Sequence, residues 1–204
     1  GPAGEAISAD LERIGIIALA WYDAGARSIY TTRPVRTPAD LRGMKIRVQT
    51  SDLWIDLMRA LNANPTPLPF GEVFTSLQSG VIDGAENNWP SYESTRHFEV
   101  ARYYSTTEHS NVPEVLAVSQ QRWRRLNEQE RAILRDAARE SARIQRAAWA
   151  DRERVSRERV VAAGVTVIEI QDRAPWATLM EPVYAKYAAD ARLAALVQQI
   201  RALP

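Results

Sequence analysis

Strand and helix patterns alternate between residues 44 and 88, and this alternation limits the fold more than any other feature of the chain. The segment 44–50 alternates apolar and polar residues as a strand does, and a helix is predicted at 51–62. A second helix at 72–79 precedes a short strand at 81–87. Strands and helices that alternate in this way are typical of α/β folds with parallel crossovers.

One long predicted helix dominates the second half of the chain. Asn127 and Glu130 resemble a capping box, with Asn in the Ser/Thr position, and Gly164 would end the helix near Ala163. Its apolar stripe is narrow, which indicates that the helix rests on more than one packed unit. The stripe consists of Ile133, Leu134, Ala137, Ala138, Ile144, Ala148 and Val155. A final helix is predicted over 175–202.

The composition excludes several classes of protein. A chain of 204 residues suits one large domain or two small ones. The 26 Lys and Arg residues nearly balance the 25 Asp and Glu residues, so we expect no nucleic-acid partner. The absence of cysteine excludes disulfides and thiolate metal sites but does not identify the compartment. No apolar run approaches the roughly 20 residues that span a bilayer.

The sequence offers little support for a cofactor, a metal or a catalytic centre. It contains no Walker loop, no G-x-S-x-G and no G-x-G-x-x-G pattern, so no cofactor is expected. His97 and His109 lack the spacing of zinc ligands, and we expect no metal. An enzymatic alternative would use Asp83 and Glu86 as acid and base. Nothing else in the sequence favours that alternative.

Three sequence blocks carry a family resemblance, and they occur in the family's order. They are "TPADLRGMKIRVQTS", "NPTPLPFGEVFTSLQSGVIDGAENN", and the long helix followed by "AAGVTVIEI". These blocks look like the TRAP-type (tripartite ATP-independent periplasmic) solute-binding proteins, which include the C4-dicarboxylate receptors. Members of that family are periplasmic receptors that pass small organic acids to the membrane subunits of a transporter. The resemblance implies a periplasmic-binding-protein-like α/β fold with two lobes, a ligand cleft and one long helix that spans both lobes.

The resemblance also implies a division of the chain. Residues 25–112 with 153–204 would form the second α/β lobe. Residues 4–24 with 113–152 would be the remainder of the first lobe and the spanning helix. The first lobe would be incomplete, as in an amino-terminally truncated receptor, and no signal peptide is recognisable. Residues 1–3 would be the scar of a removed tag.

Four residues match positions that bind ligand in the family. Arg47, in "KIRV", would clamp the ligand's carboxylate, because a guanidinium offers paired donors in a matching fork. The alternative is a surface arginine on a strand. Arg27 matches a second family arginine near the hinge, and its alternative is a salt bridge to Asp23. Asn87 would donate to a carboxylate or accept from a hydroxyl, and Phe70 would line the ligand.

Three more residues are candidates for the same cleft. Asn88 neighbours Asn87, and Trp89 would form a flat wall for a sugar ring or else pack in the core. Trp54 lies in the 51–62 helix, off an apolar stripe predicted to contain Leu53, Leu57, Met58 and Leu61. The carboxylates of Asp83, Glu86 and Glu72 are expected to have structural roles.

The stretch around Asn88 and Trp89 looks most like the branch of the family that binds sugar acids such as hexuronates. Several amides and hydroxyls suit a polyhydroxy ring, whereas a dicarboxylate would require more cations. A C4-dicarboxylate or another monocarboxylate is the alternative ligand. The other alternative is a fragment that binds nothing and covers its exposed core by forming a homodimer.

Overall fold

The computed structural model describes residues 1–202 and has an α/β fold, which confirms the predicted fold class. Its contacts divide the chain into two compact units. The first unit contains residues 1–25, residues 112–151 and the segment that begins at Ala191. The second unit contains residues 26–111 and 152–190.

The regular elements described within residues 1–202 are as follows. The helices are α1 (Pro2–Arg13), α2 (Asp52–Ala60), α3 (Val73–Gln78), α4 (Trp89–Ser94), α5 (Gln120–Trp123), α6 (Glu128–Ala162), α7 (Ala174–Leu179), α8 (Glu181–Tyr187) and α9 (Ala191–Arg201). The strands are β1 (Ile16–Tyr22), β2 (Ala26–Thr31), β3 (Lys45–Val48), β4 (Asn64–Pro67), β5 (Gly84–Asn87), β6 (Tyr103–Asn111), β7 (Glu114–Ser119) and β8 (Thr166–Ile168). Short 3₁₀ turns lie at Pro38–Leu41, Phe70–Glu72 and His97–Glu99.

The first unit is built on an antiparallel pair of strands. β1 pairs with β7, from Ile16 opposite Ser119 to Tyr22 opposite Glu114. Ala138 and Ala142, one turn apart on α6, form a small buried cluster with Ala20 of β1. Small side chains let the helix approach the strands closely here.

The second unit is built on a six-stranded mixed sheet with the order β4-β3-β5-β2-β6-β8. β3 is parallel to both β4 and β5, and β8 is parallel to β6. β2 is antiparallel to both of its neighbours, β5 and β6. The parallel arrangement predicted for residues 44–88 is therefore confirmed.

Apolar side chains cover both faces of this sheet. Successive residues on a strand point to opposite faces, and Ile29 and Tyr30 accordingly belong to different hydrophobic clusters. The Ile29 cluster includes Ile46, Met58 and other buried side chains. The Tyr30 cluster is rich in aromatic residues, among them Tyr104.

The long helix has the predicted ends but not the predicted buried face. α6 is 35 residues long, and Asn127 and Glu130 cap it reciprocally through bonds of 2.9 and 2.8 Å. The predicted stripe is partly wrong because three of its large members are exposed, whereas Ala138 and Ala142 are buried. The exposed members are Ile133, Leu134 and Ile144.

The last part of the chain differs from the predicted single helix. Prolines near the starts of α7 and α8 divide it, because a proline lacks the N–H that would continue the preceding helix. The segment from Ala191 also belongs to the first unit, not to the second as predicted. There α9 contacts α1, and Arg192 pairs with Asp10. Residues 203–204 of that prediction lie outside the described residues.

Two further expectations concern a tag scar at the start of the chain and a membrane-spanning helix. The supposed tag scar at residues 1–3 overlaps α1, which begins at Pro2. Among residues 1–202, no helix combines the length and apolar character needed to cross a bilayer.

Candidate functional site

Three strands of the second unit bring distant polar residues to one edge of the sheet. Arg47 lies near the end of β3, and Asn87 ends the parallel strand β5. β2 runs the other way, with Ser28 opposite Asn87, so the beginning of β2 and Arg27 lie at the same edge. The carboxyl ends of parallel strands are the usual ligand-binding edge of α/β sheets.

Arg27 is almost fully engaged within the protein. Its Nε and Nη2 donate to the two carboxylate oxygens of Glu86 at 2.6 and 2.8 Å. Nη2 also donates to the Glu86 carbonyl at 3.1 Å, and Nη1 donates to Asn87 Oδ1 at 3.0 Å. Within residues 1–202, only the second hydrogen of Nη1 lacks an acceptor. The alternative partner Asp23 is not used, because Asp23 Oδ1 accepts from Gly25 N–H instead.

Glu86 is a fully buried carboxylate at the centre of the site. Burial alone would raise its pKa, but the adjacent His109 ring and the Arg27 guanidinium outweigh burial and lower the pKa below its usual value. His109 Nε2 is 3.6 Å from Glu86 Oε2, which is too long for a hydrogen bond and counts as an ion pair only when the imidazole is protonated. His109 Nδ1 is 2.9 Å from the Thr107 hydroxyl. Glu86 is therefore ionised, and its charge compensates that of Arg27.

Trp54 packs against the Arg27 side of this group. Its ring lies 5.3 Å from the Arg27 guanidinium carbon and meets the His109 ring edge-on at 6.1 Å. Its predicted position off the apolar stripe of α2 is wrong. Trp54, Met58 and Leu61, spaced i, i+4, i+7, are buried, whereas Leu53 is exposed.

Arg47 differs from Arg27 in having no acidic partner among residues 1–202. It is only 5% exposed, which contradicts the surface-arginine alternative. Its Nε donates to the Leu68 carbonyl at 2.9 Å, and its guanidinium carbon lies 5.7 Å from the Phe70 ring. Neither Nη atom has a hydrogen-bond acceptor within residues 1–202. Burial lowers the pKa of Arg47, but a guanidinium remains charged at neutral pH.

Phe70 connects Arg47 to a buried histidine. The Phe70 ring meets the His97 ring edge-on at 5.8 Å, while 43% of the phenylalanine remains exposed. His97 Nδ1 is 2.8 Å from the Tyr30 hydroxyl. Burial, followed by the charge of Arg47, lowers the pKa of His97 to about 4, so the imidazole is neutral at pH 7.

Asn87 presents its amide nitrogen, not its oxygen. Oδ1 accepts from Arg27 Nη1 and from the backbone N–H of Asn88 at 2.9 Å. Nδ2 has no acceptor within the described part of the chain. The arrangement therefore leaves Asn87 as a donor, which suits a carboxylate or hydroxyl oxygen of a ligand.

The two residues after Asn87 have other contacts. Asn88 Oδ1 accepts from Ser91 N–H at 2.9 Å and caps α4. The Trp89 ring stacks on Tyr104 at 3.5 Å, and the Arg157 guanidinium carbon lies 5.6 Å from it. Trp89 also lines a cavity of about 330 Å³ with Ser28 and Arg157. Within residues 1–202, Trp89 makes no hydrogen bond or ring contact with Arg27 or Arg47.

Asp83 and Glu86, the carboxylates considered for catalysis, have separate partners. Asp83 Oδ2 accepts from Lys45 N–H at 2.8 Å, which ties β5 to β3, and Glu86 is paired with Arg27. Glu72 ends a 3₁₀ turn and precedes α3, consistent with the expected helix role. No cluster of His, Cys, Asp and Glu that could hold a metal ion occurs in residues 1–202.

Sequence reasoning missed two members of the group, Tyr30 and the hydrogen-bonding role of His97. In the sequence, His97 suggests only a metal-binding or a catalytic role. Tyr30 follows Ile29 on β2, so its side chain lies on the opposite face of the sheet. Its position near Arg47 could be predicted only from the order of the strands. Strand order depends on pairing between distant segments and is not encoded in any local pattern.

Comparison with known proteins gives a consistent assignment. The sequence matches the family described as bacterial extracellular solute-binding protein, family 7 (DctP), over residues 1–190. A "solute-binding protein" of Chromohalobacter salexigens is 43% identical over 188 residues, which cover 92% of this chain and 56% of that relative. The chain thus spans little more than half the length of this curated relative.

Solved structures agree with the sequence match. A TRAP periplasmic solute binding protein from Bradyrhizobium sp. BTAi1, in complex with α/β-D-galacturonate, is 50% identical with a TM-score of 0.92. A protein of the same description from Roseobacter denitrificans, with bound β-D-glucuronate, is 47% identical with a TM-score of 0.96. Each match covers 100% of this chain and 68% of the other. This chain therefore belongs to family 7 of the bacterial extracellular solute-binding proteins.

Proposed function

We propose that this chain is part of a periplasmic receptor of a TRAP transporter that binds a hexuronate. The observation that carries the proposal is Arg47, a buried arginine with both Nη atoms unpaired within the described residues. Its guanidinium edge would clamp the ligand's carboxylate with two parallel hydrogen bonds. Asn87 Nδ2 and the remaining Nη1 hydrogen of Arg27 would donate to neighbouring ligand oxygens.

The charge of the site favours one carboxylate over two. Glu86 compensates Arg27, and His97 is neutral at pH 7. Arg47 therefore supplies the positive charge that a ligand meets at this edge of the second unit. A hexuronate carries one carboxylate and many hydroxyls, whereas a C4-dicarboxylate would bring a second negative charge without a matching cation.

The relatives support the cellular role and the ligand class. Both structural neighbours described above are named TRAP periplasmic solute binding proteins, and both hold a hexuronate. We extend to this chain a periplasmic location, a hexuronate ligand and an interaction with the membrane subunits of a TRAP transporter. Phe70 would cover one side of the clamp, and Trp54 would support Arg27. The contacts of Asn88 and Trp89 favour structural roles at the start of α4.

The test is isothermal titration calorimetry of the chain with D-glucuronate and D-galacturonate. We expect Arg47→Met to weaken hexuronate binding at least roughly a hundredfold, because charge-assisted hydrogen bonds are lost from a buried site. The matched control is Arg33→Met, an exposed arginine without an ion pair among residues 1–202. Unchanged affinity in Arg47→Met would overturn the clamp.

Two alternatives are separated by companion measurements. Titration with succinate tests the C4-dicarboxylate alternative, which requires tighter binding of succinate than of glucuronate. Native mass spectrometry tests the fragment alternative, which predicts a bare chain or a homodimer without bound acid. The proposal assigns the site no catalytic step.

A further inference from the structure

The Tyr30–His97 pair determines which ring nitrogen of His97 carries the proton. The Tyr30 hydroxyl is buried, and His97 Nδ1 is its hydrogen-bond partner at 2.8 Å. If Nδ1 were protonated, it would donate to Tyr30, and the Tyr30 hydrogen would have no acceptor within the described residues. A buried hydroxyl hydrogen without an acceptor is costly. Tyr30 therefore donates to Nδ1, and the proton of the neutral imidazole is on Nε2.

His97 Nε2–H is then a donor without an acceptor. The residue is only 1% exposed, and no hydrogen bond from Nε2 occurs within residues 1–202. Nε2 is not one of the fully buried side-chain atoms that lack a partner, so the small exposed part of His97 includes this nitrogen and an oxygen of a ligand or of water can reach it. His97 begins its 3₁₀ turn directly after Arg96, whose left-handed φ of 61° is unfavourable for a residue other than glycine.

The position of His97 relates it to the carboxylate clamp. His97 and Arg47 both contact the Phe70 ring, at 5.8 and 5.7 Å. They are near enough for the charge of Arg47 to contribute to the lowered pKa of His97. A neutral donor beside a cation adds a hydrogen bond without adding charge.

We infer that His97 is a ligand-contacting residue that donates Nε2–H to an oxygen of the acid held by Arg47. This inference rests on the proposed function, because it requires an acid at Arg47. Tyr30 is the positioning residue, since its hydroxyl keeps the proton of His97 on Nε2. The ligand class is an organic acid with an oxygen acceptor close to its carboxylate, as a hexuronate has in its ring oxygen and adjacent hydroxyl.

The test compares two substitutions that retain different ends of the imidazole. In His97→Asn the amide replaces Nδ1 and can still bond Tyr30, but the distal donor is gone. In His97→Gln the amide reaches the position of Nε2 and retains a donor there. We expect His97→Asn to weaken D-glucuronate binding roughly tenfold, the loss of one hydrogen bond, and His97→Gln to lose less.

The outcomes separate the inference from the proposed function. If the unsubstituted chain and Arg33→Met do not bind glucuronate, the proposed function fails and the role of His97 fails with it. If they bind, Arg47→Met does not, and His97→Asn binds as tightly as the unsubstituted chain, only the role of His97 is overturned.

The tautomer gives a readout that does not depend on affinity. Imidazole ¹H–¹⁵N correlation spectra should show the Nε2–H form of His97, and its resonance should shift when glucuronate is added. A purely structural histidine would not respond to the ligand in this way. An Nδ1–H form, or an Nε2–H resonance unchanged at saturation with glucuronate, would overturn the inference.

Discussion

Arg27 and Arg47 lie at the same edge of the sheet, but only the charge of Arg27 is compensated by an acidic residue among residues 1–202. Arg27 donates to both oxygens of Glu86, whereas the hydrogen bond of Arg47 within the described part of the chain runs from Nε to a carbonyl. A buried cation without a counter-ion is energetically unfavourable. A bound anionic ligand would supply the counter-charge that Arg47 lacks within the described residues. The residue types are identical, so their environments alone determine which one is available to a ligand.

Removal of the Glu86 charge should destabilise the second unit. Glu86→Gln retains the shape of the side chain but leaves the Arg27 guanidinium buried without a counter-charge. Breaking a buried ion pair in this way typically costs about 3 kcal/mol or more. Urea unfolding should report that loss at pH 7. The control is Glu140→Gln, which removes an exposed partner of Arg143 on α6 and should change stability little. Equal stability of the two variants would contradict the structural role of the Arg27–Glu86 pair.

Phe70 should matter for binding and not only for stability. Because 43% of the residue is exposed, Phe70→Ala should cost about 2 kcal/mol of folding free energy, less than truncation of a fully buried phenylalanine. The same change removes the contact with Arg47 and His97, and we expect glucuronate affinity to fall several-fold. Val81→Ala is the matched control, because Val81 is 52% exposed and lies outside the site. Loss of stability without loss of affinity would show that Phe70 belongs to the core.

At the scale of elements, β5 packs closely against β2 at Gly84. A Cβ atom on Gly84 would lie 2.6 Å from the Tyr30 carbonyl oxygen and 2.6 Å from Thr31 Cγ2. Because a backbone oxygen cannot move aside, Gly84→Ala should destabilise the protein by about 2 to 3 kcal/mol. Thermal unfolding measures this, and Gly71→Ala is the control because a Cβ there meets nothing within 4 Å. Similar melting temperatures for both variants would contradict the close packing of β5 on β2.

Local patterns predicted those elements whose limits depend on local chemistry. The Asn127–Glu130 capping box begins α6, and the helix ends at Ala162, close to the predicted end before Gly164. The prediction for the buried face of α2 was wrong because the leucines and the tryptophan of this helix are all apolar, so more than one face could be buried. Tertiary packing determines that Trp54 is buried, and its ring contacts the Arg27 guanidinium and the His109 ring.

The candidate site could be predicted only in part. Family resemblance identified Arg27, Arg47, Asn87 and Phe70, and the structure places all four at one end of the second unit's sheet or against Arg47. The partner of Arg27 was beyond sequence reasoning. Glu86 meets Arg27 because β2 pairs antiparallel with β5, a pairing between segments 59 residues apart.

At the scale of the whole molecule, stability should fall as the pH decreases below 6.5. The pKa of His97 is about 4 in the folded protein against 6.5 unfolded, so the unfolded chain binds more protons between these values. The stabilisation is complete above pH 6.5 and is lost by pH 4, a change of about 3 kcal/mol. Glu86, whose folded pKa is lowered, adds a further loss as the pH falls below 4.5.

The measurement is urea unfolding of the unsubstituted chain and His97→Asn at pH 7 and pH 5. An asparagine does not titrate, so the variant should lose less stability over this interval. Parallel losses in both proteins would show that the lowered pKa of His97 does not govern the acid response.

The compensation of Arg27 by Glu86 has a consequence for protein engineering. The formal charge that a ligand meets depends on a single codon, position 86, because the other charged groups of the cluster are arginines. A neutral residue there would convert the pocket from singly to doubly cationic and would shift selection towards diacids. The stability lost with Glu86 would have to be recovered elsewhere, for example by substituting exposed positions of α6 with residues of higher helix propensity. If the proposed function holds, position 86 would therefore select between ligand classes, and the stability of the fold would limit its substitution.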